Sequence, residues 1–187
     1  MEHSGLSVRK RNAWGPGVTW GALALLCVTL AAATAGIARL RQVQRAADYF
    51  GRSWHVVRDA EDVEVYRLSY RAGEVWSRGS QPPADRFRVG PAIVPSPGWT
   101  RRLRETLQDP DQYEWMAAKA CIPQPGVAVR FSQGTERADL LLCFSCKMLS
   151  IAPPGGARWE DFDPAYSRYV RLVQEVFPAN TEIGALR

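Results

Sequence analysis

The sequence predicts an α+β protein: an N-terminal transmembrane helix followed by a small antiparallel sheet packed against helices. Three observations predict it. No charged residue occurs from Ala13 to Ala38. Runs dense in β-branched and aromatic residues lie at 63–70 and on both sides of Gly134. An amphipathic helix follows Asp163-Pro164 near the end of the chain. At 187 residues, with 46% hydrophobic and 23% charged residues, the chain suits a single globular domain and is too apolar to be disordered. The organisation expected is a basic tail over 1–12, a transmembrane helix over 13–38, a juxtamembrane helix or linker over 39–52, and an α+β domain over 53–187.

About 20 apolar residues cross the roughly 30 Å hydrocarbon layer as a helix. The uncharged run is long enough, and Trp14 and Trp20 lie toward its first end, where indoles favour the headgroup region. Pro16 and Gly17 fall at the entrance, where a helix tolerates them. A cleaved signal peptide is the rival reading, because Ala33-Thr34-Ala35 before Gly36 has small-x-small form and Arg9-Lys10-Arg11 resembles an n-region. A lipoprotein at Leu25-Leu26-Cys27 is set aside, since Leu26 is not small. The flanking charges, Arg9, Lys10 and Arg11 before the run and Arg39, Arg41 and Arg45 after it, nearly tie. A short basic tail before a first apolar helix favours a cytoplasmic N-terminus, which puts the domain on the extracytoplasmic side.

The formal net charge of +5 belongs to these flanks. Residues 1–45 carry six basic residues against Glu2, and the remaining residues are balanced at 18 of each sign. A nucleic-acid partner is therefore not expected, because such domains carry their positive charge on the folded part. Only Lys10, Lys119 and Lys147 among the basic residues are lysines, which reads as compositional bias.

Within the soluble part, residues 39–50 continue the anchor as a helix to about Gly51. Residues 63–70 read as a strand and 73–86 as a loop; 87–94 read as a second strand, with Gly90-Pro91 marking an edge or bulge. A helix starting between Pro95 and Gly98 runs to about Gln108, with Trp99, Leu103 and Leu107 on one buried stripe. Arg101, Arg102, Arg104 and Glu105 fall off that stripe, as a solvated face. Asp109-Pro110 breaks the helix and 113–120 reads as a short second one. Residues 126–131 and 139–150 are the expected arms of a β-hairpin, ended by Pro153-Pro154-Gly155-Gly156. Asp163 reads as the N-cap of a last helix, with Pro164 in its first turn. Its inward stripe is Tyr166, Tyr169, Val170, Val173, Val176 and Phe177, and it stops at Pro178.

Cys121, Cys143 and Cys146 are the reactive constellation. If the hairpin is centred near Gly134, Cys121 falls level with 146–150, so Cys121–Cys146 is a candidate disulfide in an oxidising compartment. A metal site is a second reading, with His55 as a fourth ligand beside the three cysteines. Residues three apart on an extended strand point to opposite faces, so that site needs a bend at Cys143. Buried cysteines acting as small hydrophobes are a third reading. Glu160, Asp161 and Asp163 form an acidic cluster read as helix capping. No hydrolase elbow, Walker loop or dinucleotide fingerprint is present, and no cofactor is expected.

Two resemblances bear on the cysteines. Cys143-Phe144-Ser145-Cys146-Lys147-Met148-Leu149 resembles the thioredoxin active-site stretch, which implies a fourth reading, a redox pair at a helix start. The sequence departs from that family in having Leu142 where a Trp is usual and in the Pro-Pro-Gly-Gly break soon after. Cys121-Ile122-Pro123-Gln124-Pro125-Gly126-Val127-Ala128-Val129-Arg130-Phe131, then Asp139-Leu140-Leu141-Leu142-Cys143-Phe144-Ser145-Cys146, resembles a pattern in uncharacterised bacterial proteins. That pattern is a C-x(3)-PG-x-A-x-RF strand, a D-L-L-x-C-F-x-C strand, and a closing acidic-Pro helix ending in Phe-Pro. It implies that cysteines and hairpin form one unit, and no activity. The expectation is a bacterial, single-pass membrane-anchored protein with a non-catalytic binding or structural domain. The alternative is a membrane-tethered thiol-disulfide or thiolate-metal protein using the three cysteines. The lipid bilayer is the one partner expected.

Overall fold

The structure is a computed structural model, and it describes residues 16–51, 53–69, 84–115, 119–152 and 158–187. The expected basic tail, most of the 73–86 loop and the Pro-Pro-Gly-Gly break lie outside the described residues. The chain divides into two compact units, Met1–Arg41 and Gln42–Arg187.

The first unit contains most of helix α1 (Pro16–Phe50). Every side chain from Trp20 to Arg41 is exposed, and none from Trp20 to Ala38 is charged, so that part presents an uncharged surface around its whole circumference. Among the described residues it is the one helix long and apolar enough to cross a membrane. Two of its hydroxyls are satisfied within the helix: Thr29 Oγ1 donates to the Leu26 carbonyl and Thr34 Oγ1 to that of Ala31, each at 2.9 Å. A hydroxyl needs such a local acceptor in a medium without water.

The second unit is built on a six-stranded sheet. Its strands are β1 (Asp62–Leu68), β2 (Arg88–Ile93), β3 (Val127–Gln133), β4 (Glu136–Cys143), β5 (Met148–Ala152) and β6 (Trp159–Asp161). The order is β2-β1-β3-β4-β5-β6, with every neighbouring pair antiparallel. The helices are the end of α1, α2 (Ser53–Asp59), α3 (Pro97–Gln108), α4 (Tyr166–Val176) and α5 (Thr181–Gly184). The α+β architecture is as the sequence predicts.

The period of two sorts the sheet's side chains onto two faces. Val63, Val65, Val129, Phe131, Leu140 and Leu142 join Trp99, Leu103 and Leu107 of α3 and Tyr169, Val170 and Val173 of α4 in the main core. The opposite face carries a smaller cluster of Tyr66, Leu68, Ala84, Phe87, Ala128 and Leu141. On that face Arg130 forks onto both Asp139 oxygens at 2.8 Å, reaches Asp85 at 2.7 Å and lies 5.4 Å over the Tyr66 ring.

Helix α3 fits its expectation, with Ser96 Oγ accepting the Trp99 N–H and the stripe of Trp99, Leu103 and Leu107 buried. Strand β2 is an edge, and its pairing with β1 slips between Val65 and Arg67, as Gly90-Pro91 suggests. The β3–β4 hairpin turns at Gly134-Thr135, with Gly134 at φ 57° and Gln133 opposite Glu136. A positive φ at the first turn residue alone suits glycine there.

Several expectations need correction. The domain starts at Gln42, not after a linker ending at 52, because Ala46, Tyr49 and Phe50 are buried in the main core. Gly51, at φ 47°, then ends α1 in the left-handed conformation favoured past a helix end. Ser53–Asp59 is helical, an element the sequence pattern does not predict. Tyr113 and Glu114 are not helical: the Glu114 N–H donates to the Asp161 carbonyl at 3.0 Å, drawing the chain alongside β6. Residues 116–118 lie outside the described residues. The second hairpin arm does not run to 150; the chain reverses over 144–147, with Lys147 at φ 53°, and returns as β5. Strand β6 and helix α5 are additions to the expected elements. Asp163 opens a short 3-10 turn ahead of α4 and does not cap it with its side chain; Asp161 Oδ1 instead accepts the Asp163 N–H at 2.8 Å.

Candidate functional site

The three domain cysteines meet where the β4–β5 turn faces the stretch leading into β3. Glycine fixes that stretch at one end: the Gly126 N–H donates to Leu142 and its carbonyl accepts from Leu68, at 3.0 and 2.9 Å. Residues 119–125 therefore pass along the end of the sheet, beside the turn. Cys121 is disulfide-bonded to Cys146, with their Cα atoms 6.0 Å apart, within the usual range for a bridge. The pair is the one the hairpin arithmetic pointed to, reached by a different route. Cys146 is not a residue of a long strand arm; it sits in the turn after Cys143, and the turn carries it toward Cys121.

Cys143 is free and fully buried at the end of β4. Its Sγ accepts the Gln124 N–H at 3.2 Å and lies 3.3 Å from Ser145 Oγ. Cys27, the other free cysteine, is exposed on α1.

A charged cluster surrounds the turn. Lys119 Nζ lies 2.5 Å from both Asp161 Oδ2 and Asp163 Oδ2 and donates to the Cys146 carbonyl at 3.0 Å. Lys147 Nζ reaches Asp163 Oδ1 at 2.8 Å and lies 5.1 Å over the Tyr166 ring. Burial raises the Asp163 carboxyl, but the bonds from Lys119 and Lys147 outweigh it and bring the group down to about 2. Burial likewise pushes the Lys119 ammonium down, and Asp161 and Asp163 more than offset it, so its pKa is raised. Carboxylate oxygens of Glu114, Asp161 and Asp163 approach within 4.8 Å of one another, and the ammonium of Lys119 is the cation against two of them. Asp161, the most buried of the three, thus joins a lysine pair and a backbone cap. Glu160 turns away to Arg158 at 2.9 Å.

The other sequence candidates disperse. His55 Nε2 is 2.8 Å from Glu136 Oε2, at the far end of β4 from Cys143. Seven residues of strand separate those ends by about 24 Å, and two of the remaining three ligands are tied in a disulfide, so the metal reading fails for this set. The thioredoxin arrangement fails too, because Cys143 ends a strand and its C-x-x-C stretch is a hairpin turn that leads into β5 and not into a helix of its own. Arg39 and Arg41 are exposed on α1, whereas Arg9, Lys10 and Arg11 lie outside the described residues. The arginines of α3 are only partly a solvated face: Arg102 pairs with Glu175, and Arg104 donates to the carbonyls of Val57 and Ala60 at 2.8 and 2.9 Å.

Sequence reasoning missed the two lysines. Both lysines of the domain lie at this one turn and share Asp163, so the scarcity of lysine elsewhere was itself the signal. A compact ammonium fits between two close carboxylates where a planar guanidinium does not. No protein-family model matches the chain, and no curated protein or solved structure matches it either.

Proposed function

We propose that this chain is a single-pass, membrane-anchored bacterial protein whose α+β domain acts as a non-catalytic binding or structural module on the extracytoplasmic side. The observation that carries the reading is the stretch from Trp20 to Ala38, uncharged and exposed on every side. A helix of that kind is stable when lipid surrounds it. The internally bonded hydroxyls of Thr29 and Thr34 support the same setting. The Cys121–Cys146 bridge supports an oxidising compartment for the domain. Lys119, Lys147, Asp161 and Asp163 beside the disulfide are engaged with one another in ion pairs, which supports a structural role for that cluster.

The test is alkaline carbonate extraction of native membranes, followed by intact mass and protease accessibility from each side. The full-length chain remaining in the pellet, with the domain digested only from the extracytoplasmic face, is the expected result. A mature chain beginning at Gly36 and released to the supernatant overturns the anchor and establishes a cleaved signal. Digestion from the cytoplasmic face overturns the orientation.

A further inference from the structure

Cys143 is packed unlike an inert buried cysteine. It is completely shielded, yet a backbone N–H and a hydroxyl converge on its sulfur, from Gln124 at 3.2 Å and Ser145 at 3.3 Å. The bridged sulfur of Cys146 lies 3.6 Å from the Ile122 carbonyl. Both sulfurs of the C-x-x-C turn therefore abut one short stretch, Cys121 to Gln124, whose own cysteine is bonded to only one of them. A β-turn brings residues three apart to within about 7 Å between Cα atoms, a separation close to the span of a disulfide.

We infer that the three cysteines form an internal thiol–disulfide exchange unit in which Cys143 competes with Cys121 for Cys146. The Cys143 thiol gives up its proton and the thiolate attacks Cys146 Sγ. The Cys143–Cys146 bond forms as the Cys121–Cys146 bond breaks. The electron pair leaves on Cys121 Sγ, which takes up a proton, so the exchange consumes no oxidant or reductant. The N–H of Gln124 and the hydroxyl of Ser145 are placed to stabilise the attacking thiolate. The product differs from the starting state in one respect that matters: the free thiol moves from a buried strand end to Cys121, which is exposed on the 119–125 stretch beside Ile122 and Gln124. The unit thus converts a hidden thiol into a surface nucleophile whose substrate class is a solvent-accessible disulfide. The inference is independent of which side of a bilayer the domain faces.

The test is a time course of N-ethylmaleimide labelling of the unreduced full-length protein in detergent, quenched in acid and mapped peptide by peptide. Label accumulating on Cys121 to about one per chain, together with a Cys143–Cys146 disulfide, is the expected result. In Cys143→Ser the label on Cys121 is lost, while the Cys121–Cys146 bridge in the same map shows that the variant has folded. Label on Cys143 instead, no label on either cysteine with Cys121–Cys146 as the sole bridge, or all three thiols labelled from the start would each overturn the inference. The wild-type map decides between these outcomes even if the variant fails to fold.

Discussion

Asp163 shows how a single residue's role depends on what the fold brings to it. In the sequence it stands before Pro164 as a helix cap; in the structure its carboxylate binds Lys119 and Lys147, from two distant segments. Its pKa of about 2 lies below the ordinary carboxylate value, so the folded domain binds that proton less readily than the unfolded chain. The stabilisation is then complete above about pH 4 and is lost as pH falls toward 2. Asp163→Asn is expected to lose less stability than the wild type between pH 4 and pH 2, read from urea midpoints across that range. Cys121 and Cys146 were legible as a pair from hairpin spacing, although the β4–β5 turn, and not strand register, brings them together. The lysine pair was not legible, since ion pairs between residues 44 and 16 apart follow only once the turn is formed.

At the scale of elements, legibility followed local patterning. Helix α3 and strand β1 have strong periodic signals and native ends near those read from them. The 144–147 turn lacks a glycine or proline, and Lys147 takes the positive φ that a glycine would have advertised. Strand β6 is three residues long and exists because β5 offers it an edge. Helix α2 is seven residues long, too short to be stable by propensity, and part of its support is lateral. Arg104 on α3 donates to two carbonyls at the end of α2, joining two elements that otherwise meet through the core. Arg104→Ala is expected to cost about 1–2 kcal/mol in chemical denaturation, the usual effect of losing charge-assisted bonds at a partly exposed site. Arg104→Lys, with one compact charge in place of a fork, is expected to recover only part of it. An unchanged midpoint in the alanine variant would show that water serves those carbonyls equally well.

For the whole molecule, the decisive difference from the sequence reading is where the domain begins. Ala46, Tyr49 and Phe50 are core residues, and Tyr49 Oη lies 3.0 Å from the carbonyls of Leu149 and Arg158. Phe50 packs on Trp54 and Tyr113 with ring centroids 5.1 and 6.0 Å apart. A chain starting at Gln42 is expected to unfold cooperatively as a soluble domain. A chain starting at Ser53, the boundary the sequence suggested, removes two buried aromatic side chains, and losing each costs about 3–5 kcal/mol, enough to consume most of an ordinary domain's stability. Thermal unfolding of the two fragments separates these outcomes, and equal midpoints would mean that residues 42–52 are dispensable. Features that depend on neighbours along the chain follow from the residue pattern alone: the uncharged helix, the alternation that gives the sheet two faces, the glycine turn at Gly134, and the amphipathic stripes of α3 and α4. Which thiol stays free, which carboxylate caps and which pairs, and how far the domain reaches into α1 follow from long-range packing. Those outcomes depend on groups far apart in sequence, whose energies are set by burial and by partners that exist only after the chain has folded.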